Sequence, residues 1–382
     1  MLTVPVTSAM RSILPRTEIV RLAVGWVSVG CVAASGSIVS ERSHSLVIAG
    51  VLGAIIAVIA TCAFGVVTQA EALARRLGDP YGTLVLTLSI MVIEVILIAA
   101  VMLGPGDHTT IARDSVAAAT MIVLALIMGV ALLAGGTRHG YLVVNPVGVS
   151  TYLAYLVVLL TVAFVFPAVV CGGGANTTGQ ATAAVALTVA LYGYFLYRQT
   201  GPQRADFQEV DAVRHSLAVK PRPPVRTVLR EHRAEIVGRV LVLLAMVVPI
   251  IVLSHDMATL LDEGLGRVGA PVALSGLLIA LIVFLPETLT TVRAAWMGEG
   301  QRMSNLAHGA LVSCVGLTLP VVLVIGLATG QTVVLAPDPA VLAVLAVAMA
   351  LNIATFLTRK VGAAHGATHV LVFVLYAIAI FA

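Results

Sequence analysis

Charge is what this chain of 382 residues has least of. Asp, Glu, Lys and Arg make up 10% of it, against about 25% in a soluble domain. Aromatic residues are scarce too, at 5%. The cysteines, Cys31, Cys62, Cys171 and Cys314, lie far apart and mostly inside apolar runs. Their spacing fits neither a disulfide framework nor a metal site, so they read as packing residues. No apolar run holds a nucleophile with a base or a cluster of metal ligands, which argues against an intramembrane enzyme. Basic residues are scattered over many short segments rather than gathered on one surface. The sequence pI near 9.0 is therefore a sign of membrane topology, not of nucleic-acid binding.

Apolar residues fill the chain instead, at 59% with a mean hydropathy of +1.06. Runs of about 20 apolar residues, enough to cross a bilayer as a helix, fall at roughly 22–39, 46–67, 82–103, 115–135, 147–170, 180–197, 236–254, 271–293, 304–327, 338–357 and 366–382. The expected fold is an all-α polytopic membrane protein of about 11 transmembrane helices. The first run follows Arg11, Arg16 and Arg21 and ends in small residues, which is also how a cleaved signal peptide reads. Its near-spanning length favours a retained helix.

Placing the N-terminus in the cytoplasm leaves only Arg42, Arg113 and Arg267, of the 22 basic residues, on the opposite face. Such an excess of positive charge marks the cytoplasmic side. The expectation is a cell (inner) membrane protein with N-terminus and central linker inside and C-terminus outside. That linker, residues 199–235, is polar, mixed in charge and proline-bearing, and reads as a segment of low structural content. It separates residues 46–198 from 236–382, after an N-terminal segment and first helix in 1–45. Each set holds five runs, an odd number, so the second set enters the membrane inverted.

Glu94 and Glu287 stand alone inside the third and eighth runs, while the other Asp and Glu residues fall in loops, the linker or helix ends. Gly78-Asp79-Pro80 precedes Glu94 and Gly269-Ala270-Pro271 precedes Glu287, with the carboxylates 14 and 16 residues after the prolines. Matching positions in oppositely oriented halves read as an inverted repeat, whose site lies at the repeat interface near the bilayer midplane. An ionisable side chain at that depth is costly and signals function.

Burial disfavours the charged form of a carboxyl group, and a second carboxylate nearby disfavours it further. Such a pair binds protons or a cation in competition. If access changes sides only when the site is neutralised, cation and proton fluxes are coupled in opposite directions. Glu94 and Glu287 are thus the candidate ion- and proton-binding residues. Pro286 removes a backbone donor, kinks its helix and frees the Ile282 carbonyl as a further oxygen ligand. Thr87 shares a face with Glu94, and Thr290 and Thr291 follow Glu287 by one turn; their hydroxyls can equally bond back to their own helices. Ser313 is a supporting candidate. Asn305 and His308, near the start of the ninth run, read more readily as helix-end anchors than as cavity lining. The implied partners are the lipid bilayer, inorganic cations and protons; no cofactor beyond the transported ion is called for, and a homo-oligomer is compatible with the sequence. A passive cation channel and a proton-coupled solute carrier are the alternatives. Too few aromatic and embedded basic residues are present to hold an organic anion.

Ala74 to Glu94, Gly269-Ala-Pro-Val-Ala273, Leu285-Pro-Glu287 and Asn305 to Pro320 resemble the ChaA-type bacterial cation/proton antiporters. These belong to the calcium/proton exchanger family of the cation/calcium exchanger superfamily. The resemblance runs from about residue 46 to the C-terminus. It implies one helix plus two inverted five-helix repeats, exchange of Ca²⁺, Na⁺ or K⁺ for H⁺, and Glu94 and Glu287 as the paired acidic residues. The wider pattern has Gly-Asn shortly before each glutamate, where this chain has Ile90-Met91 and Val283-Phe284. It also has amides about where Ser313 and Val123 stand. The choice between Ca²⁺ and an alkali cation therefore stays open.

Overall fold

A computed structural model describes residues 13–34, 45–77, 84, 88, 91, 94–95, 98–99, 102–103, 109–209, 227, 230–267, 277–278, 280–282 and 284–380. Thr87, both Gly-x-Pro approaches and residues 210–226 lie outside the described residues. In chain order the helices are α1 (Arg16–Ala34), α2 (Ser45–Leu77), α3 (Ile111–Met121), α4 (Met128–His139), α5 (Pro146–Leu160), α6 (Phe166–Val170), α7 (Thr178–Thr200), α8 (Arg233–Arg267), α9 (Leu285–Trp296), α10 (Gly300–Thr329), α11 (Pro339–Thr355) and α12 (Ala363–Ile380). Stretches of π-helix, Ile122–Ile127 and Thr161–Val165, join α3 to α4 and α5 to α6. The described residues around Glu94 are helical as well. Among the described residues, eight helical runs are long and apolar enough to cross a membrane. The 17-residue α11, the Glu94 helix and the interrupted Glu287 helix account for the other expected spans. The protein is an all-α polytopic membrane protein.

Two compact units divide the chain: Met1–Leu86 with Lys220–Ser275, and Thr87–Val219 with Gly276–Ala382. In the first, α8 packs along α2 and both hold α1. The approach is close where side chains vanish: a Cβ on Gly25 would sit 2.7 Å from Cys62 Sγ. The sequence placed Glu18 at a helix end, and it does lie in the first turn of α1, yet it is only 1% exposed. Arg21 Nη1 reaches its Oε1 at 2.6 Å. Beside this pair, Gln69 donates to Ile13 O at 3.0 Å and accepts from Arg239 Nη1 at 3.1 Å.

In the second unit α10 is the central helix, with α3, α5, α7 and α9 around it. From Met303 to Val315 every residue of α10 is buried, the polar Ser304, Asn305, His308 and Ser313 included. Small residues bring α4 and α12 together: a Cβ on Gly366 would meet Gly129 O at 2.6 Å, the kind of contact by which membrane helices pack.

The loops of this unit sort to two ends. At one, Leu142–Val143 pairs antiparallel with Lys360–Val361, His139 meets Trp296 O at 3.0 Å, and Glu209 accepts from Arg302 N at 2.9 Å. At the other, Val334 N donates to Thr109 O at 2.9 Å and Leu335 N to Gly174 O at 3.0 Å. Arg138, Arg198, Arg302, Arg359 and Lys360 belong to the first end, Arg113 to the second.

The expected linker of low structural content needs correction at its start. Residue 199 is still in α7, and Arg204–Phe207 forms a 3-10 turn. Phe207 is fully buried against Tyr152 and Phe195. One aromatic side chain with apolar partners outweighs the polar composition around it.

Candidate functional site

Pro286 does more than kink its helix. The chain leaves helical geometry at Phe284 (φ −83°, ψ 4°), and α9 starts afresh at Leu285 with the proline in its first turn. Proline suits that position because the first-turn donors of a helix have no internal partner. Its missing N–H leaves the Ile282 carbonyl without its usual donor. Glu287 follows directly, in the first turn of α9, where the exposed N–H groups and the helix dipole favour negative charge. It is 4% exposed, and neither of its oxygens has a hydrogen-bond partner among the described residues.

Glu94 is likewise 4% exposed and close enough to Glu287 for their charges to interact. The fold thus brings together two carboxylates 193 positions apart in the chain. They are held differently. The Cys314 thiol on α10 donates to Glu94 Oε1 at 3.2 Å, while Oε2 is unpartnered among the described residues.

The supporting candidates separate. Thr290 bonds back to its helix, to Pro286 O at 2.9 Å and Glu287 O at 3.1 Å. Thr291 is fully buried and its hydroxyl has no partner among the described residues, whereas Thr318, one turn beyond Cys314, lies against the Cys314 thiol. Ser313 accepts from Tyr192 at 3.1 Å. Thr87 lies outside the described residues.

Asn305 and His308 are buried and hydrogen-bonded rather than exposed helix-end anchors. Asn305 donates to Phe207 O at 2.6 Å and accepts from Gln301 at 2.9 Å. His308 joins a buried network with a defined proton arrangement. The Asn352 amide nitrogen donates to Leu124 O at 3.0 Å and Ala348 O at 2.8 Å, so its oxygen accepts from His308 Nε2 at 3.3 Å. His308 Nδ1 then accepts from Ser304 at 2.9 Å. His369 Nδ1 donates to the same Leu124 carbonyl at 2.7 Å, and its Nε2 takes the Thr355 hydroxyl at 3.0 Å. The π-helical turn makes this carbonyl available: the Met128 N–H turns to Val123 and Ala125 instead.

Sequence reasoning missed Cys314, because a thiol in an apolar run carries no local sign of a polar partner. Among the described residues, no group of three or more His, Cys, Asp or Glu side chains gathers as a metal site. Buried, partly unpartnered carboxylates can be neutralised either by protons or by a cation entering from outside.

The profile of the sodium/calcium exchanger protein family matches residues 47–201 and 239–382. The chain belongs to that family of membrane ion exchangers. It is 32% identical to the sodium-potassium/proton antiporter ChaA of Escherichia coli K12, over 90% of this chain and 92% of that one. It is 34% identical to the putative ionic transporter y4hA of Sinorhizobium fredii, over 91% and 92%. Among solved structures, the H⁺/Ca²⁺ exchanger CAX superposes with a TM-score of 0.67 at 12% identity, over 95% of this chain and 89% of that one. Native YfkE gives 0.65 at 16%, over 95% and 99%. At such identities these structures speak for the fold.

Proposed function

We propose that this chain is a secondary-active antiporter that exports Ca²⁺ and/or Na⁺/K⁺ in exchange for H⁺. Glu94 and Glu287 take cation or protons in competition, and access alternates once the site is neutral. The observation that carries this reading is the joint burial of two carboxylates with three oxygens unpartnered among the described residues. No basic side chain is paired with either in that set, so neutralisation falls to mobile ions. The relative named as a sodium-potassium/proton antiporter and the neighbour named as an H⁺/Ca²⁺ exchanger support the substrate class.

The family match falls into two segments flanking the linker, 47–201 and 239–382, which supports two inverted repeats in 46–198 and 236–382. The sorting of basic residues to one end of the second unit supports a cytoplasmic N-terminus and linker and an external C-terminus.

The test is dye-quench antiport in everted membrane vesicles, comparing Ca²⁺, Na⁺ and K⁺ across pH. Uphill cation movement driven only by an imposed pH gradient is expected. Dissipation of gradients without uphill movement would mark a passive channel and sink the proposal.

A further inference from the structure

Building on the antiport reading, we propose that Cys314 is a positioning residue for exchange. Its thiol fixes Glu94 by occupying one carboxylate oxygen, and so makes Glu287 the carboxylate with both oxygens open to the incoming cation. A buried cysteine usually behaves as a small apolar side chain. Cys314 does not. It is completely buried in α10, yet its sulfur lies 3.2 Å from Glu94 Oε1, with the S–H as donor. The remaining carboxylate oxygens, Glu94 Oε2 and both of Glu287, and the Thr291 hydroxyl lack partners among the described residues. Hydrogen bonding is therefore distributed unequally over the two carboxylates.

The inequality has a structural source. α9 begins just before Glu287, so its carboxylate sits at a helix start and is held by backbone placement. Glu94 lies within a helix with no such break among its described residues, so its orientation depends on what the neighbouring helix offers. A donor on the neighbouring helix α10 restricts that orientation before the cation arrives, which lowers the ordering cost of binding. The thiol suits this task because its single proton engages one lone pair of Glu94 and leaves the others for the ion.

The test uses the full chain in proteoliposomes. For Cys314→Ala, the apparent KM for the transported cation should rise about tenfold with little change in kcat, the loss expected for one hydrogen bond to a charged group. Cys314→Ser keeps a donor and should stay within about twofold of the parent. An unchanged KM in Cys314→Ala, or a Cys314→Ser variant as impaired as the alanine, overturns the proposal. A second readout needs no transport. The infrared S–H stretch of Cys314, isolated as the difference between parent and Cys314→Ala, should be shifted to low frequency by the carboxylate and move upward in Glu94→Ala. A band that stays in place also overturns it. Failure of the parent protein to exchange any cation would instead overturn the antiport reading, and this role with it.

Discussion

Glu94 and Glu287 are both buried and their charges interact, but their environments differ: a thiol from α10 holds Glu94, while Glu287 lies in the first turn of a new helix directly after Pro286. Two buried carboxylates whose charges interact, with no basic side chain paired to either among the described residues, favour neutralisation. Replacing either by glutamine removes the charge while keeping the shape. Exchange by Glu94→Gln and by Glu287→Gln is expected to fall to the background of protein-free liposomes, at normal membrane expression. Near-parental rates in either variant would refute the two-carboxylate mechanism.

Competition sets the pH dependence. Cation ligands must be deprotonated, so binding a cation releases protons. The apparent affinity for the cation should rise as pH increases on the cation-loading side, and excess cation should overcome inhibition at low pH. Initial rates measured over a grid of pH and cation concentration check this; inhibition by acid that no cation concentration relieves would contradict it.

The adjacent threonines provide an internal control. Thr290 spends its hydroxyl on the backbone of its own helix, whereas Thr291 is fully buried with an unpartnered hydroxyl among the described residues. Thr291→Val should raise the KM for the cation several-fold, and Thr290→Val should leave it nearly unchanged. Equal effects would show that the distinction between the hydroxyls has no bearing on binding.

Asn352 and His369 both donate to the carbonyl of Leu124. Asn352→Leu strips one donor from that carbonyl and leaves His308 Nε2 without its acceptor. Stranding buried polar groups costs about 1–3 kcal/mol. The melting temperature in detergent should drop clearly, while the cation KM of the surviving protein stays close to that of the parent. An unchanged melting temperature would mean that the network contributes no stability.

Glu209 accepts from the backbone N–H groups of Gln301 and Arg302 at the start of α10. Its loss in Glu209→Ala should cost about 1 kcal/mol, as for other helix N-terminal caps, visible as a lower melting temperature. Glu209→Asp should fall between the two, since its carboxylate is one methylene shorter.

Some of this protein was legible in the sequence because it depends on local properties. Run length and apolar content mark a spanning helix wherever it packs, so the spans appeared before any contact was known. A carboxylate at membrane depth is an anomaly within its own run, which is why Glu94 and Glu287 stood out. Pro286 acts on the turn that contains it, and the interruption there was foreseeable, although not that α9 would begin anew. What each polar atom bonds to depends on which helices meet, and only the tertiary structure decided that. Cys314 and Glu94 are separated by 220 positions, and no periodicity in either run links them. His308 looked like an interfacial residue until Asn352 and the π-helical turn at Leu124 enclosed it. Phe207 lay in a segment that reads as polar linker, and burial of a single ring tied that segment down. Apolar length is summed along the chain, whereas hydrogen-bond partners are assigned across it.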